Sequence, residues 1–379
     1  MIRVMQINSG QKYGGVSAMI YNLYRNMDHD KIQFDFVAPK KTSFEIYRKE
    51  IEAEGGRIIE LDTKGNFINR KLQFFKRLTK LIKKNQYQIV HVNSGSIFLN
   101  IQVSWIARFC GVKTVIAHSH NGGNEHRVLQ LLTKILKPLL EFGPTDYFAC
   151  SNTAAEFMFL PRRIRQHHYT VVNNAIDVHK FQYDGQARVT YRENLNLGNK
   201  LVLLHVGRFS EAKNHKKLIN VFHVFHQDHP DSVLLLAGEG ELLGPVQQQV
   251  EMLGLTDAVR FLGLRKDISQ LMSTADIFVL PSLFEGLPVV GVEAQATGLP
   301  CVFSDSITRE VNLMQTRNVF VSLQHSNKEW ANAIYQLIQD CQKKTREDAA
   351  DQVADRGYAL TEVAKEVQDF YMSKAKKVA

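Results

Sequence analysis

The residues with the clearest chemical potential are two glutamates, Glu285 and Glu293. Glu285 stands in Ser282-Leu283-Phe284-Glu285-Gly286-Leu287-Pro288, between an apolar run, Ile277-Phe278-Val279-Leu280, and a helix that holds Glu293. Just over two helical turns separate the pair, so both project near the start of that helix. Free N–H groups and the positive dipole end attract phosphate there. An ionised carboxylate only accepts hydrogen bonds, and sugar hydroxyls offer donors. Together these parts suit a nucleotide-sugar. An isolated pair at this spacing reads as a turn glutamate and a solvated helix glutamate. The buried-type strand before it and the Gly286-Leu287-Pro288 turn favour a site.

Three other places offer complementary groups. Arg208 and Lys213 follow the apolar run Leu201 to Val206 and can clamp a diphosphate, offsetting charge on a leaving group. Gly14 and Gly15 follow the strand Ile2 to Ile7 and let backbone approach a ligand closely. The loop is not GxGxxG, which argues against a dinucleotide site. His118-Ser119-His120-Asn121-Gly122-Gly123 ends another strand. A zinc site there lacks further ligands at metal-like spacing. Asp28-His29-Asp30 has the form of a DxD metal motif but falls at a helix end, where a solvated turn explains it. No metal or cofactor is expected.

These groups must be carried on a scaffold. Apolar runs without alternation read as strands covered on both faces, and they alternate with helical patterns throughout. Each candidate follows the carboxyl end of a strand, where open parallel sheets bind ligands. The expected class is α/β, with two doubly wound, Rossmann-like domains facing a central cleft. At 379 residues the chain exceeds one ordinary core. The expected boundaries are 1–180, rejoined by a terminal helix at 361–379, and 181–360. Helices are expected at 43–54 and 345–358.

Composition is globular, with 44% hydrophobic and 22% charged residues. No run suffices for a membrane span, and no signal peptide is read at Met1. Cys110, Cys150, Cys301 and Cys341 are widely spaced, as free thiols of a reducing cytosol would be. Residues 1–180 hold 26 Lys and Arg against 14 Asp and Glu, and 181–379 hold 21 against 24. The basic first half points to an anionic partner. Its densest part is 69–85, where seven basic residues from Arg70 to Lys84 accompany an apolar stripe of Leu72, Phe75, Leu78 and Ile82. Such a helix lies on an anionic membrane, packs on the sheet, or does both.

The segment from Ala275 to Asp305 resembles the donor-binding signature of retaining glycosyltransferases of family 4, which have the GT-B fold. The resemblance covers most of the chain and is densest from Leu201 to Asp305. It implies that Glu285 contacts hydroxyls of a donor sugar and Glu293 the ribose. It implies that Arg208 and Lys213 bind the diphosphate, and that Gly14-Gly15 closes over the donor. His118, or as second choice His120, would contact the sugar. Leu264 and Arg265 would border the base, and Gly286, Leu287 and Pro288 would line the donor site. Asn173-Asn174-Ala175-Ile176-Asp177 is similar to the family's hinge segment, with Asn173 and Ala175 replacing the usual Pro and Gly. The His-Ser-His-Asn form is similar to the capsule and exopolysaccharide branch.

The implied activity is transfer of a sugar from a nucleoside-diphosphate sugar, UDP by family frequency, to an acceptor hydroxyl with retention. A lipid-linked saccharide acceptor and a cytoplasmic enzyme at the inner membrane face are expected, with no nucleic-acid partner. Two other readings stand beside it. One is a UDP-sugar 2-epimerase on the same fold, turning over without acceptor. The other is a non-catalytic nucleotide- or polyanion-binding protein.

Overall fold

A computed structural model describes residues 1–8, 14–120 and 127–376. The chain divides into two units, Met1–Ala175 with Leu360–Ala379, and Ile176–Ala359. The division falls inside the hinge-like segment, a few residues before the expected 180.

Unit 1 holds strands β1 (Ile2–Asn8), β2 (Ile32–Ala38), β3 (Arg57–Glu60), β4 (Ile89–Asn93), β5 (Thr114–Ser119), β6 (Asp146–Ala149) and β7 (Thr170–Val171). They form one sheet in the order β3-β2-β1-β4-β5-β6-β7, with every pairing parallel. Strands β2, β4 and β5 are buried at every position, as a sheet covered by helices on both faces requires. The order reverses between β1 and β4, which makes that gap the topological switch point. Register sets Asn8 beside Asn93, and Asn93 beside His118.

The terminal helix, Leu360–Lys376, belongs to unit 1. Its Leu360, Val363, Ala364, Val367 and Tyr371 pack with Ile20, Phe34 and Phe148. Lys374 pairs with Asp146 at 2.5 Å.

Unit 2 repeats the plan. Strands β8 (Leu201–Val206), β9 (Ser232–Ala237), β10 (Val259–Gly263), β11 (Ile277–Leu280), β12 (Cys301–Ser304) and β13 (Asn318–Val321) run parallel in the order β10-β9-β8-β11-β12-β13. Alternate residues face opposite ways. Val202 and Leu204 therefore join one core and Leu203 the other. The switch point lies between β8 and β11.

Two local expectations differ from the structure, and one helix lies outside them. Instead of a helix over 345–358, a short helix, Ala349–Val353, runs into an irregular stretch where Gly357 takes φ +80°. Instead of one helix over 43–54, a single turn at Glu45–Tyr47 precedes Arg48–Ala53. An amphipathic helix, Arg127–Leu140, was not anticipated; Pro138 inside it obscured the pattern.

Candidate functional site

The site of unit 2 grows from the loops after β8 and β11. Lys213 Nζ donates to Glu285 Oε1 at 2.6 Å, and Ser282 Oγ donates to the same oxygen at 2.9 Å. Lys213 and Glu285 are 15% and 17% exposed, so little water screens the pair. Two further bonds tie the loops together. The Leu283 N–H donates to the Ala212 carbonyl at 2.8 Å, and Asn214 Nδ2 donates to the Pro281 carbonyl at 3.1 Å. Asn214 takes φ +53° as it turns into the helix His215–Asp228, a conformation its short polar side chain tolerates. One lysine is thereby fixed across the switch point.

Glu293 lies in the helix Val289–Ala296, which Pro288 precedes. Burial raises its carboxyl from the ordinary 4.5 to about 7, while Lys180 and then Lys213 pull it down. No described residue gives it a hydrogen bond or ion pair. Lys213 thus acts on both carboxylates, through a direct bond to Glu285 and through space on Glu293. The Pro288 carbonyl accepts from the Gly291 and Val292 N–H groups at 2.9 and 3.3 Å, and the N–H groups before them have no intrahelical acceptor, as at any helix start.

The glycines after β9 have a structural task. A Cβ on Gly238, at φ +142°, would sit 2.0 Å from the Gly207 carbonyl oxygen. One on Gly240 would sit 2.4 Å from the Phe209 oxygen. The close approach is to the neighbouring loop, where the Phe209 N–H donates to the Glu239 carbonyl at 3.0 Å.

Not every candidate joins this cluster. The Arg208 guanidinium pairs with Glu241 at 2.9 Å, both being more than half exposed. Leu287 is 5% exposed and packs in the core. Leu264 is exposed, and Arg265 Nε donates to Asp267 at 2.8 Å. With Lys180, Lys266, Ser269 and Gln270 they line a groove of about 500 Å³. Sequence reading missed Lys180, which no motif spacing marks. It also missed a buried pair, His205 and His215. His205 Nδ1 donates to the Val279 carbonyl at 2.8 Å, and His215 stacks on Phe209 at 4.0 Å. Burial, with Lys213 adding to it, lowers His215 to about 4.

In unit 1 the carboxyl ends of β1, β4 and β5 gather neutral polar groups. His118 is fully buried, with the His120 ring 4.0 Å away, and its Nε2 has no partner among the described residues. His118 Nδ1 lies 3.1 Å from His91 Nε2, and His91 Nδ1 lies 2.6 Å from the Tyr371 hydroxyl. Gln6 Nε2 donates to the Tyr371 oxygen at 3.0 Å. Asn93 Nδ2 donates to Gln6 Oε1 at 2.8 Å, and Asn93 Oδ1 lies 3.3 Å from His120 Nε2. Burial lowers His91 and His120 to about 3 each and pushes His118 well down, so all three rings are neutral near pH 7.

Gly14 caps the helix Gly15–Arg25, and a Cβ on either glycine would meet none of the described residues within 4 Å. The rest of that loop, 9–13, lies outside the described residues, as do Asn121, Gly122 and Gly123. Asp28 pairs with Lys31 at 2.5 Å, and its N–H donates to Gln368. Among the described residues no group of three or more His, Cys, Asp or Glu could hold a metal.

The basic helix, Phe67–Asn85, corrects one expectation. Phe74, Leu78 and Ile82 face inward, while Leu72 and Phe75 are 55% and 47% exposed beside Phe67 and Ile68. The helix packs on one side and shows both apolar and basic residues on the other. The helix Arg127–Leu140 likewise exposes Val128, Leu131 and Ile135. No described helix is long and apolar enough to cross a membrane.

Comparison with known proteins settles the family. The profile of "Glycosyltransferase Family 4" matches residues 13–180, and that of "Glycosyl transferases group 1" matches 188–355. The "Putative glycosyltransferase EpsF" of Bacillus subtilis (strain 168) is 34% identical over 94% of this chain and 92% of its own. The chain belongs to glycosyltransferase family 4. A second relative of this glycosyltransferase is the Escherichia coli "UDP-Gal:alpha-D-GlcNAc-diphosphoundecaprenol alpha-1,3-galactosyltransferase", 30% identical over 60% of each chain. Anabaena Alr3699/HepE, solved in complex with UDP-glucose, shares the fold at TM-score 0.81 and 19% identity. The match covers 98% of this chain and all of that one. The family 4 enzyme therefore has the GT-B architecture its sequence implied.

Proposed function

We propose that this glycosyltransferase moves a sugar from a UDP-sugar to a hydroxyl of a lipid-linked saccharide, with retention, during capsular or exopolysaccharide synthesis. The observation that carries the reading is Lys213 held at the switch point between Glu285 and Glu293. Glu293 accepts hydrogen bonds from the ribose diol, and its lack of a protein partner suits a group reserved for a ligand. Glu285, fixed by Lys213 and Ser282, orients the sugar. As the glycosidic bond to the diphosphate breaks, negative charge grows on the leaving oxygen. Lys213 and the N-terminus of the helix Val289–Ala296 stabilise it. The departing phosphate oxygen then takes the proton of the attacking hydroxyl. No resident metal or cofactor enters this scheme.

Support for UDP comes from the solved relative bound to UDP-glucose. Support for a lipid acceptor comes from the relative that acts on a diphosphoundecaprenol-linked sugar. The exposed apolar and basic residues of the helix Phe67–Asn85 fit an enzyme resting on the anionic inner face of a membrane.

The test is thermal shift of the whole protein against UDP, GDP, ADP and their sugar conjugates, with Glu293→Ala alongside. A ligand that binds only the folded state raises the melting temperature. A shift with the UDP series that Glu293→Ala abolishes is expected. A shift confined to GDP or ADP overturns the donor assignment, and turnover of a UDP-sugar without acceptor overturns the transferase reading. NMR of the product's anomeric proton then reads retention or inversion.

A further inference from the structure

The polar groups of unit 1 are joined in one direction. Tyr371 has a single hydroxyl hydrogen, and its oxygen already accepts from Gln6 Nε2. That hydrogen therefore goes to His91 Nδ1, 2.6 Å away. A neutral imidazole carries one N–H, so His91 bears its proton on Nε2 and donates to His118 Nδ1. By the same rule His118 carries its proton on Nε2, the buried nitrogen without a partner. At the other end, Asn93 Nδ2 donates to Gln6 Oε1, which leaves Asn93 Oδ1 to accept from His120 Nε2. His120 Nδ1 is then a bare acceptor. The chain runs from His120 through Asn93, Gln6, Tyr371 and His91 to His118, and each inner member both accepts and donates.

We propose that Gln6, Asn93, His91 and Tyr371 form a directional hydrogen-bond chain that fixes the tautomers of His118 and His120. The chain leaves His120 Nδ1 as an acceptor and the buried Nε2–H of His118 as a donor with no partner among the described residues. This rests on the carbohydrate reading of the site, and it adds four residues that touch no substrate. Tyr371 is a positioning residue supplied by the terminal helix, so the last segment of the chain sets the chemistry of a strand end far earlier in sequence. Neutral rings are a condition of the argument, and burial meets it.

Turning over both amides, Gln6 and Asn93, would reverse every donor, and that is what the experiment reads. In full-length protein labelled with ¹⁵N-histidine, long-range proton–nitrogen correlation shows which nitrogen of each ring is protonated. His118 is assigned by loss of its signals in His118→Asn. The expected result is His118 protonated at Nε2 and His91 at Nε2. Gln6→Glu replaces the amide by an acceptor-only carboxylate, which takes the Tyr371 hydrogen. It should move the His118 proton to Nδ1 without removing a contact. Should that buried charge prevent folding, Tyr371→Phe deletes the link at nearly constant volume. It should bring the His91 and His118 nitrogen shifts toward tautomer averages. Wild-type His118 protonated at Nδ1, or tautomers unmoved by the foldable variant, overturns the proposal. The readout needs no substrate. It can therefore fail while the nucleotide shift succeeds, or succeed while that shift fails.

Discussion

The two sheets share the strand sequence that turns back beside its first member, yet different chemistry stands at the two switch points. Unit 2 gathers charge, with Lys213 bonded to Glu285 and acting on Glu293. Unit 1 gathers neutral donors and acceptors, namely three histidines, two amides and a tyrosine. One scaffold therefore carries two kinds of polar cluster at its switch points. Fixed charges suit a diphosphate whose charge changes during reaction, and oriented neutral groups suit hydroxyls, whose charge does not. The contrast resides in loop and strand-end residues rather than in the cores, whose plans are alike.

Removing the lysine is the strongest way to break the contrast. Lys213→Ala takes away the cation to which the proposed mechanism gives the leaving diphosphate, and it leaves Glu285 without its charged partner. Loss of one such stabilising group lowers kcat by about 10²–10³-fold. UDP release under saturating donor and acceptor reads it. Because Ser282 still holds Glu285, the fold should survive, and an unchanged melting temperature beside lost turnover is expected. A drop of less than tenfold would move the electrostatic centre elsewhere.

The second prediction uses pH. Glu293 keeps its proton to about 7 when folded, against the ordinary 4.5. Below about 4.5 the carboxyl is protonated in both states and costs nothing. As pH rises the unfolded chain ionises first, so stability is lost progressively until the folded pKa is passed. The loss above that point approaches about 3 kcal/mol. Glu293→Gln should therefore match wild type in melting temperature near pH 4.5 and exceed it at pH 8, while binding nucleotide more weakly. A gap that does not vary with pH would show the carboxylate already satisfied. A gap that opens as pH rises marks the carboxylate as unfavourable, at a site kept for binding at the expense of stability.

Much of this contrast was legible in the sequence, and unevenly so. Glu285, Glu293 and Lys213 stand near apolar runs at informative spacings, so local pattern sufficed. The parallel sheets followed from unbroken apolar runs such as Ile277 to Leu280. The pairing of Arg208 with Glu241 was not legible, since rotamer choice at an exposed arginine depends on neighbours from another loop. The chain from Gln6 to Tyr371 joins residues at opposite ends of the sequence, and no spacing encodes it. The task of Gly238 was half legible. A glycine after a strand signals close approach, but only the folded loops show that Gly207 is what it approaches.

The smallest expected effect concerns the outer surface of unit 1, where the excess of basic residues lies. On the helix Phe67–Asn85, Arg77 donates to the Leu61 and Asp62 carbonyls, so it holds structure and is a poor probe. Lys80 makes no such bond and is exposed on the helix that also exposes Leu72 and Phe75. A basic residue near an anionic bilayer contributes about 1 kcal/mol. Lys80→Gln should therefore weaken sedimentation with phosphatidylglycerol vesicles about fivefold, with no effect on neutral vesicles and none on nucleotide binding in unit 2. Raised salt should shrink the difference, because exposed charges are screened. Leu72→Ser on the same face should weaken binding in a way that salt does not remove. If neither substitution changes vesicle binding, the helix serves only to cover its sheet, and the two units differ at their switch points alone.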